Sequence, residues 1–171
     1  MILRENDNII DELEALIIQE SDSLIDAPLI HRFTDGMYIR EIYMPAGSLW
    51  TSKIHKTEHP FVVSLGKAAV SIDATEWENI EAPYTGITKP GTRRVLYIIE
   101  DCIWTTFHRI EGMKSEYNYL SKEEIEEIVE KIEDKILEPH INYITGTNIN
   151  KDYKELLNNN IKNLQLWVLQ D

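Results

Sequence analysis

Lys53-Ile54-His55-Lys56-Thr57-Glu58-His59-Pro60-Phe61-Val62-Val63-Ser64-Leu65-Gly66 is the stretch on which the fold turns. Two imidazoles four residues apart lead into a β-branched and aromatic run that a glycine closes. Imidazole ligates metals and titrates near neutrality, and the spacing predicts both rings on one side of a strand, where side chains alternate with a period of two. A third histidine, His108, ends a later apolar run, Cys102-Ile103-Trp104-Thr105-Thr106-Phe107. If the two runs meet in a β-barrel, three imidazoles converge in its mouth.

Outward from this stretch, short runs rich in β-branched and aromatic residues continue over 38–44, 61–65, 68–72, 94–99 and 102–108. Turn signals separate them at Pro45-Ala46-Gly47, Leu65-Gly66-Lys67, Ala82-Pro83-Tyr84, Lys89-Pro90-Gly91 and Glu100-Asp101. Strands this short at such spacing predict an antiparallel sandwich or barrel. The flanks read differently. Asp7 can cap a helix carrying Ile9, Ile10, Leu13, Leu16 and Ile17 at three- and four-residue intervals and ending near Ser21. Ser121 and Glu124 form a capping box before Ile125, Ile128, Val129, Ile132 and Ile136, and Pro139 stops that helix. A second helical stretch is expected around Tyr153, Leu156 and Leu157, and a terminal strand over 164–169. The organisation is a helical arm at 1–31, a β-barrel at 32–113 and a helical extension at 114–171.

The 171 residues, 43% of them hydrophobic, suffice for one domain with a core of ordinary size. No apolar stretch reaches the roughly 20 residues that span a bilayer, and the N-terminus turns acidic after Leu3 where a secretory signal would turn apolar. A soluble cytoplasmic protein that does not engage membranes is expected. The single cysteine, Cys102, excludes an intramolecular disulfide and a cysteine-based zinc site, and reads as a small buried hydrophobe. The net charge of −13 is unevenly shared: one Arg against eight acids over 1–31, nine Lys/Arg against ten acids over 32–113, seven Lys against twelve acids over 114–171. The acidity belongs to the flanks. Duplex nucleic acid is thereby a poor partner, whereas a small anion could still be met by Lys53, Lys56, Lys89, Arg93 and Arg94 in the near-neutral middle.

The middle segment resembles the cupins, and among them the small single-domain cupin-like proteins carried by bacteriophages. The resemblance covers about 37–110 and rests on Met44-Pro45-Ala46-Gly47, on the stretch from Lys53 to His59, on Leu65-Gly66-Lys67, Glu81-Ala82-Pro83-Tyr84 and Lys89-Pro90-Gly91-Thr92-Arg93-Arg94, and on the run from Glu100 to His108. It implies a mainly β protein, a cupin-type antiparallel jelly-roll barrel with an N-terminal helix and a C-terminal helical extension, and a ligand or metal site inside the barrel mouth. Against the family's first motif, His55 matches the first histidine, Thr57 stands at the second, and His59 occupies the glutamate position seven residues before Gly66. In the second motif Pro90-Gly91 is present, but Arg94 stands where a histidine is expected. His108 could substitute if its side chain points inward.

These departures leave two sites open. In one, His55, His59 and His108 hold a divalent first-row metal (Zn, Fe, Mn, Ni or Cu) with positions left for water or substrate, and Arg94 steers an anion. In the other the pocket is metal-free and the same groups bind the anion directly. Thr57, Trp104, Thr106 and Tyr38 are further candidates for ligand contact, since Trp104, Thr106 and His108 share one strand face. Alternation allows only one of Arg93 and Arg94 to face inward. His31 and His140 read as surface or interface residues, and Glu58 as pointing away from His59's side. No nucleophile elbow, phosphate-cradling glycine loop or nucleotide fingerprint occurs, so no catalytic residue is assigned. Three functions follow: a metal-dependent protein, as an enzyme or a binder, acting on a small polar molecule such as a sugar phosphate or oxo-acid; a metal-free binder that sequesters an anionic metabolite or nucleotide signal; and a scaffold. A homo-oligomer is expected in each, because barrel edges and apolar helix faces need cover.

Overall fold

The computed structural model describes residues 10–11, 13–15, 27–71, 77–138 and 147–148. Strands β1 (Leu29–Thr34), β2 (Met37–Met44), β3 (Ser48–Thr51), β4 (His59–Ser71), β5 (Glu78–Glu81), β6 (Tyr84–Thr88) and β7 (Val95–Arg109) precede a 3-10 turn at Ser115–Tyr119 and helix α1 (Lys122–Ile136). A two-residue strand, β8 (Thr147–Asn148), pairs with β3. All pairings are antiparallel. The order β1-β2-β7-β3-β8, with β4 joining β7 to both β5 and β6, is the mainly β jelly-roll barrel with flanking helices. No helix among the described residues is long and apolar enough to cross a membrane.

The two long strands shape the barrel. β4 and β7 pair from Phe61↔Thr106 to Ser71↔Val95, with register shifts between Val63 and Ala68. The core-facing residues of β4 are Phe61 and Val63 before the shift and Ala68 and Val70 after it. Across these shifts the two strands are offset by a net of one residue, which flips the alternation of β4, so both of its halves present apolar side chains to the same core. Gly66 sits at this bulge with φ +83°, and a Cβ there would lie 2.0 Å from the Asp101 carbonyl oxygen. Leu65-Gly66-Lys67 and Glu100-Asp101 are therefore irregularities inside continuous strands, not the turns the sequence suggests. Positive φ and close backbone approach call for the same residue in both settings.

Two apolar clusters result. Met44, Trp50, Phe61, Val63, Ala68, Val70, Ile98, Cys102 and Trp104 belong to the barrel interior. Phe33, Tyr38 and Ile110 join Ile132, Ile136 and Leu137 in a second cluster, so α1 lays its apolar stripe on its own barrel. The expected capping box is present: the Ser121 hydroxyl accepts from the Glu124 amide, and the Glu124 carboxylate accepts from the Ser121 amide. At the N-terminus, residues 10–11 and 13–15 are helical and bury Ile10 and Leu13. The rest of that helix, His140, the stretch around Tyr153 and the strand expected over 164–169 lie outside the described residues.

Candidate functional site

His108 is near the end of β7 and faces inward, opposite Tyr38 of β2. His59 opens β4, opposite Thr88 of β6. His55 is not on a strand with His59, contrary to the spacing argument. It lies in the segment between β3 and β4, where it forms an isolated bridge with Leu137. The Lys56 amide donates to the Ile136 carbonyl, the Glu138 amide to the Ile54 carbonyl, and the Gly91 amide to the His55 carbonyl. The end of α1 and the Pro90-Gly91 turn thus hold the His55 backbone, and Lys53 pairs with Glu133 of α1 at 2.8 Å.

The three imidazoles meet. All are buried, and one nitrogen from each lies within 4.8 Å of the others. Ring centroids are 4.4 Å apart for His55–His59 and His59–His108 and 5.0 Å for His55–His108. Burial, reinforced by the neighbouring His59 and His108, pushes the His55 pKa down to about 2. Burial, with His59 next, pushes that of His108 down to about 3. Burial also lowers His59, partly offset by its hydrogen bond to Thr57. All three rings are therefore neutral at pH 7, which is the ligating form.

The donor set fits a divalent first-row metal. His59 Nδ1 lies 3.3 Å from the Thr57 carbonyl, which can only accept, so this nitrogen carries the proton and Nε2 keeps its lone pair. His108 Nε2 meets the Thr106 hydroxyl at 2.9 Å, whereas its Nδ1 is buried with no hydrogen-bond partner. With His108 Nε2 donating to the Thr106 hydroxyl, the unpaired buried Nδ1 keeps its lone pair beside two other imidazoles and is an open ligand position. The His55 ring has no hydrogen-bond partner among the described residues, so neither nitrogen is committed elsewhere. The described residues place no carboxylate in this group.

A cavity of about 280 Å³ opens beside His55 and His59. Ile42, Met44, Trp50, Leu96 and Trp104 form its apolar wall, and Arg40, Thr51, Ser52, Thr88, Arg94 and Thr106 its polar one. Trp104 stacks on Phe61 at 4.5 Å. Arg94 lies over the Phe61 ring at 5.3 Å, bonds the Thr88 hydroxyl at 3.2 Å and has its pKa lowered by burial. Arg93 turns the other way: its side chain is 3% exposed and pairs at 2.8 Å with both Asp11 and Glu14 of the N-terminal helical residues.

Arg94, Trp104 and Thr106 are thus brought to the cavity, and Thr57 and Tyr38 are not. The Thr57 side chain is exposed, and only its backbone carbonyl serves the site. Tyr38 is 1% exposed and sits behind His108, with ring centroids 5.8 Å apart and its hydroxyl 2.8 Å from His31 Nδ1. His31 is therefore a half-buried partner of Tyr38, not a surface residue. Glu58 is exposed, as expected, and pairs with Lys89. Arg40 went unrecognised in the sequence. Its signal was the phase of β2, since Tyr38, Arg40, Ile42 and Met44 share a face and a charge on an inward face is uncommon.

No protein-family model matches the chain, and no curated protein sequence matches it significantly. Solved structures do resemble it. A cupin superfamily protein from Desulfitobacterium hafniense is 11% identical, with a TM-score of 0.42 over 58% of this chain and 89% of that one. A protein with a double-stranded β-helix domain from Klebsiella pneumoniae is 14% identical, TM-score 0.43, over 54% and 82%. The Cnp3 cupin domain of Schizosaccharomyces pombe is 19% identical, TM-score 0.43, over 53% and 66%.

Proposed function

We propose that this chain is a cupin-like metal-binding protein in which His55, His59 and His108 hold one divalent first-row ion at the wall of a cavity that takes a small molecule. One observation carries the reading: three buried, neutral imidazoles within 4.8 Å of one another, one of them with a buried nitrogen that no hydrogen bond satisfies. Packing alone gives a poor account of such a cluster. A buried ring nitrogen without a partner, as at His108 Nδ1, costs about 1–3 kcal/mol, and an apolar side chain of similar size would avoid that cost.

When bound, such an ion would supply Lewis acidity and open positions for water or a substrate oxygen. The chain's own residues do the remainder. Thr106 and the Thr57 carbonyl orient the rings of His108 and His59. Trp50, Trp104 and Leu96 exclude water from one side of the cavity, and Arg94 offers an anionic group a two-pronged hydrogen bond.

The test is elemental analysis of protein purified without a histidine tag, alongside His55→Ala. The reading predicts about one equivalent of metal in the wild type and none in the variant. A wild type free of first-row metals that shows no thermal shift when zinc, iron or manganese is added would overturn it.

A further inference from the structure

We propose that the cavity takes a small amphipathic oxyanion, with its charged head held between Arg40 and Arg94 and its apolar body lying against Ile42, Trp50 and Trp104. The inference rests on the reading of this cavity as a ligand site, and it does not depend on whether the histidines hold metal.

Arg40 lines the cavity, and its Nε is buried without a hydrogen-bond partner. Its side chain makes no ion pair or hydrogen bond with any described residue. The residue is half-buried, and a guanidinium presents its donors as a planar fork, so a buried, unbonded Nε at the cavity wall is a donor left for a ligand. Arg94 is only partly satisfied, by one bond to the Thr88 hydroxyl and by the face of Phe61. None of the described residues lining the cavity is Asp or Glu, and the third cation there, Lys53, is engaged by Glu133.

The ladders set the two arginines at one level of the sheet, separated by Thr106 and Phe61. Arg40 stands opposite Thr106 on β2, Thr106 stands opposite Phe61 on β4, and Arg94 lies over Phe61. An oxyanion is what a pair of guanidinium forks accepts. The rest of the wall narrows the class further. An aromatic or aliphatic body matches the surfaces of Ile42, Trp50 and Trp104. A volume of about 280 Å³ suits a molecule the size of a substituted benzene and is too small for a dinucleotide. The class is an aryl or alkyl carboxylate or phosphate monoester.

Isothermal titration with phenylacetate, phenyl phosphate, the neutral isostere phenylacetamide and the bodiless anion glycolate tests this on the full chain, metal-loaded and chelator-treated. The expected result is binding of phenylacetate or phenyl phosphate at least about tenfold tighter than of phenylacetamide or glycolate. Arg40→Gln and Arg94→Gln should each weaken the anion about tenfold or more and leave phenylacetamide unchanged. Equal affinity for acid and amide, binding of glycolate as tight as of phenylacetate, no binding of either aryl anion at millimolar concentration, or unaltered binding in both variants would each overturn the proposal. If either variant fails to fold, the wild-type contrast of acid with amide decides alone. Discrimination that persists in a protein that never takes up metal would leave this inference standing and remove the metal reading; metal uptake without discrimination would do the reverse.

Discussion

The two halves of β7 are built by the same ladder and do opposite work. From Val95 to Ile98 the inward residues are Leu96 and Ile98, which face β4 at Val70 and Ala68 and close the barrel with apolar contacts. From Trp104 to His108 the inward residues are Trp104, Thr106 and His108, beside Ile42, Arg40 and Tyr38 of β2. Ile98 could be replaced by another hydrophobe of the same volume at little cost, whereas Leu96 also walls the cavity. The second half carries an imidazole and lies beside the Arg40 guanidinium of β2, and each has a buried nitrogen without a partner. The contrast teaches that the inward-facing polar groups gather at one end of the strand, with the bulge at Gly66 opposite Glu100 and Asp101 as the joint between the halves.

The joint is where the comparison breaks most easily. Gly66→Ala would drive a Cβ into the Asp101 carbonyl at a positive φ, and should cost on the order of 4 kcal/mol or prevent folding. Urea unfolding measures it. A loss under about 1 kcal/mol would mean that the strands can slide past each other without the bulge.

Next in size is the response of the histidine half to acid. His55 and His108 have folded pKa values of about 2 and about 3, below the ordinary 6.5, so the folded state holds fewer protons than the unfolded chain between those limits. Protonation therefore favours unfolding. The stability of metal-free protein should be complete above pH 6.5 and fall with up to about 1.4 kcal/mol per pH unit for each histidine as pH drops towards 3. Replacing both residues by Leu should remove that part of the slope. An identical pH profile in the double variant would show that the rings are not buried neutral.

A subtler substitution sharpens the same half. Thr106→Val keeps the shape and deletes the hydroxyl that meets His108 Nε2, so metal affinity should fall roughly 10- to 100-fold, and metal-free protein should lose about 1–3 kcal/mol because that buried nitrogen is left unmet. Competition with a chromophoric chelator reads the affinity. Smallest of all, Ser121→Ala removes the cap of α1 and should cost about 1 kcal/mol of stability. Because α1 ends at the His55 segment, metal affinity in that variant reports whether the helix positions the ligand or only covers the barrel.

Much of this was legible from side-chain alternation. Period two placed Trp104, Thr106 and His108 on one face, and Ser121 with Glu124 marked the start of α1. Two kinds of information were not local enough to read. The bulges at Gly66 and at Glu100-Asp101 use the same residues as turns, and only the partner strand distinguishes them. The His55 segment takes its shape from Ile136 and Leu137, some eighty positions away, so a histidine that looked like a strand residue is held by a helix end. Arg93 likewise reveals its role only through Asp11 and Glu14. Arg40 was within reach, because a charge in phase with Tyr38, Ile42 and Met44 is itself a signal.

The central claim is that three neutral histidines from three separate segments make one metal site. Titration of chelator-treated protein with cobalt(II), followed by visible absorption, tests it most directly. Ligand-field bands that saturate at about one equivalent in the wild type and vanish separately in His55→Ala, His59→Ala and His108→Ala are the predicted result. Absence of bands in the wild type, or bands that survive loss of any one of the three histidines, would contradict it.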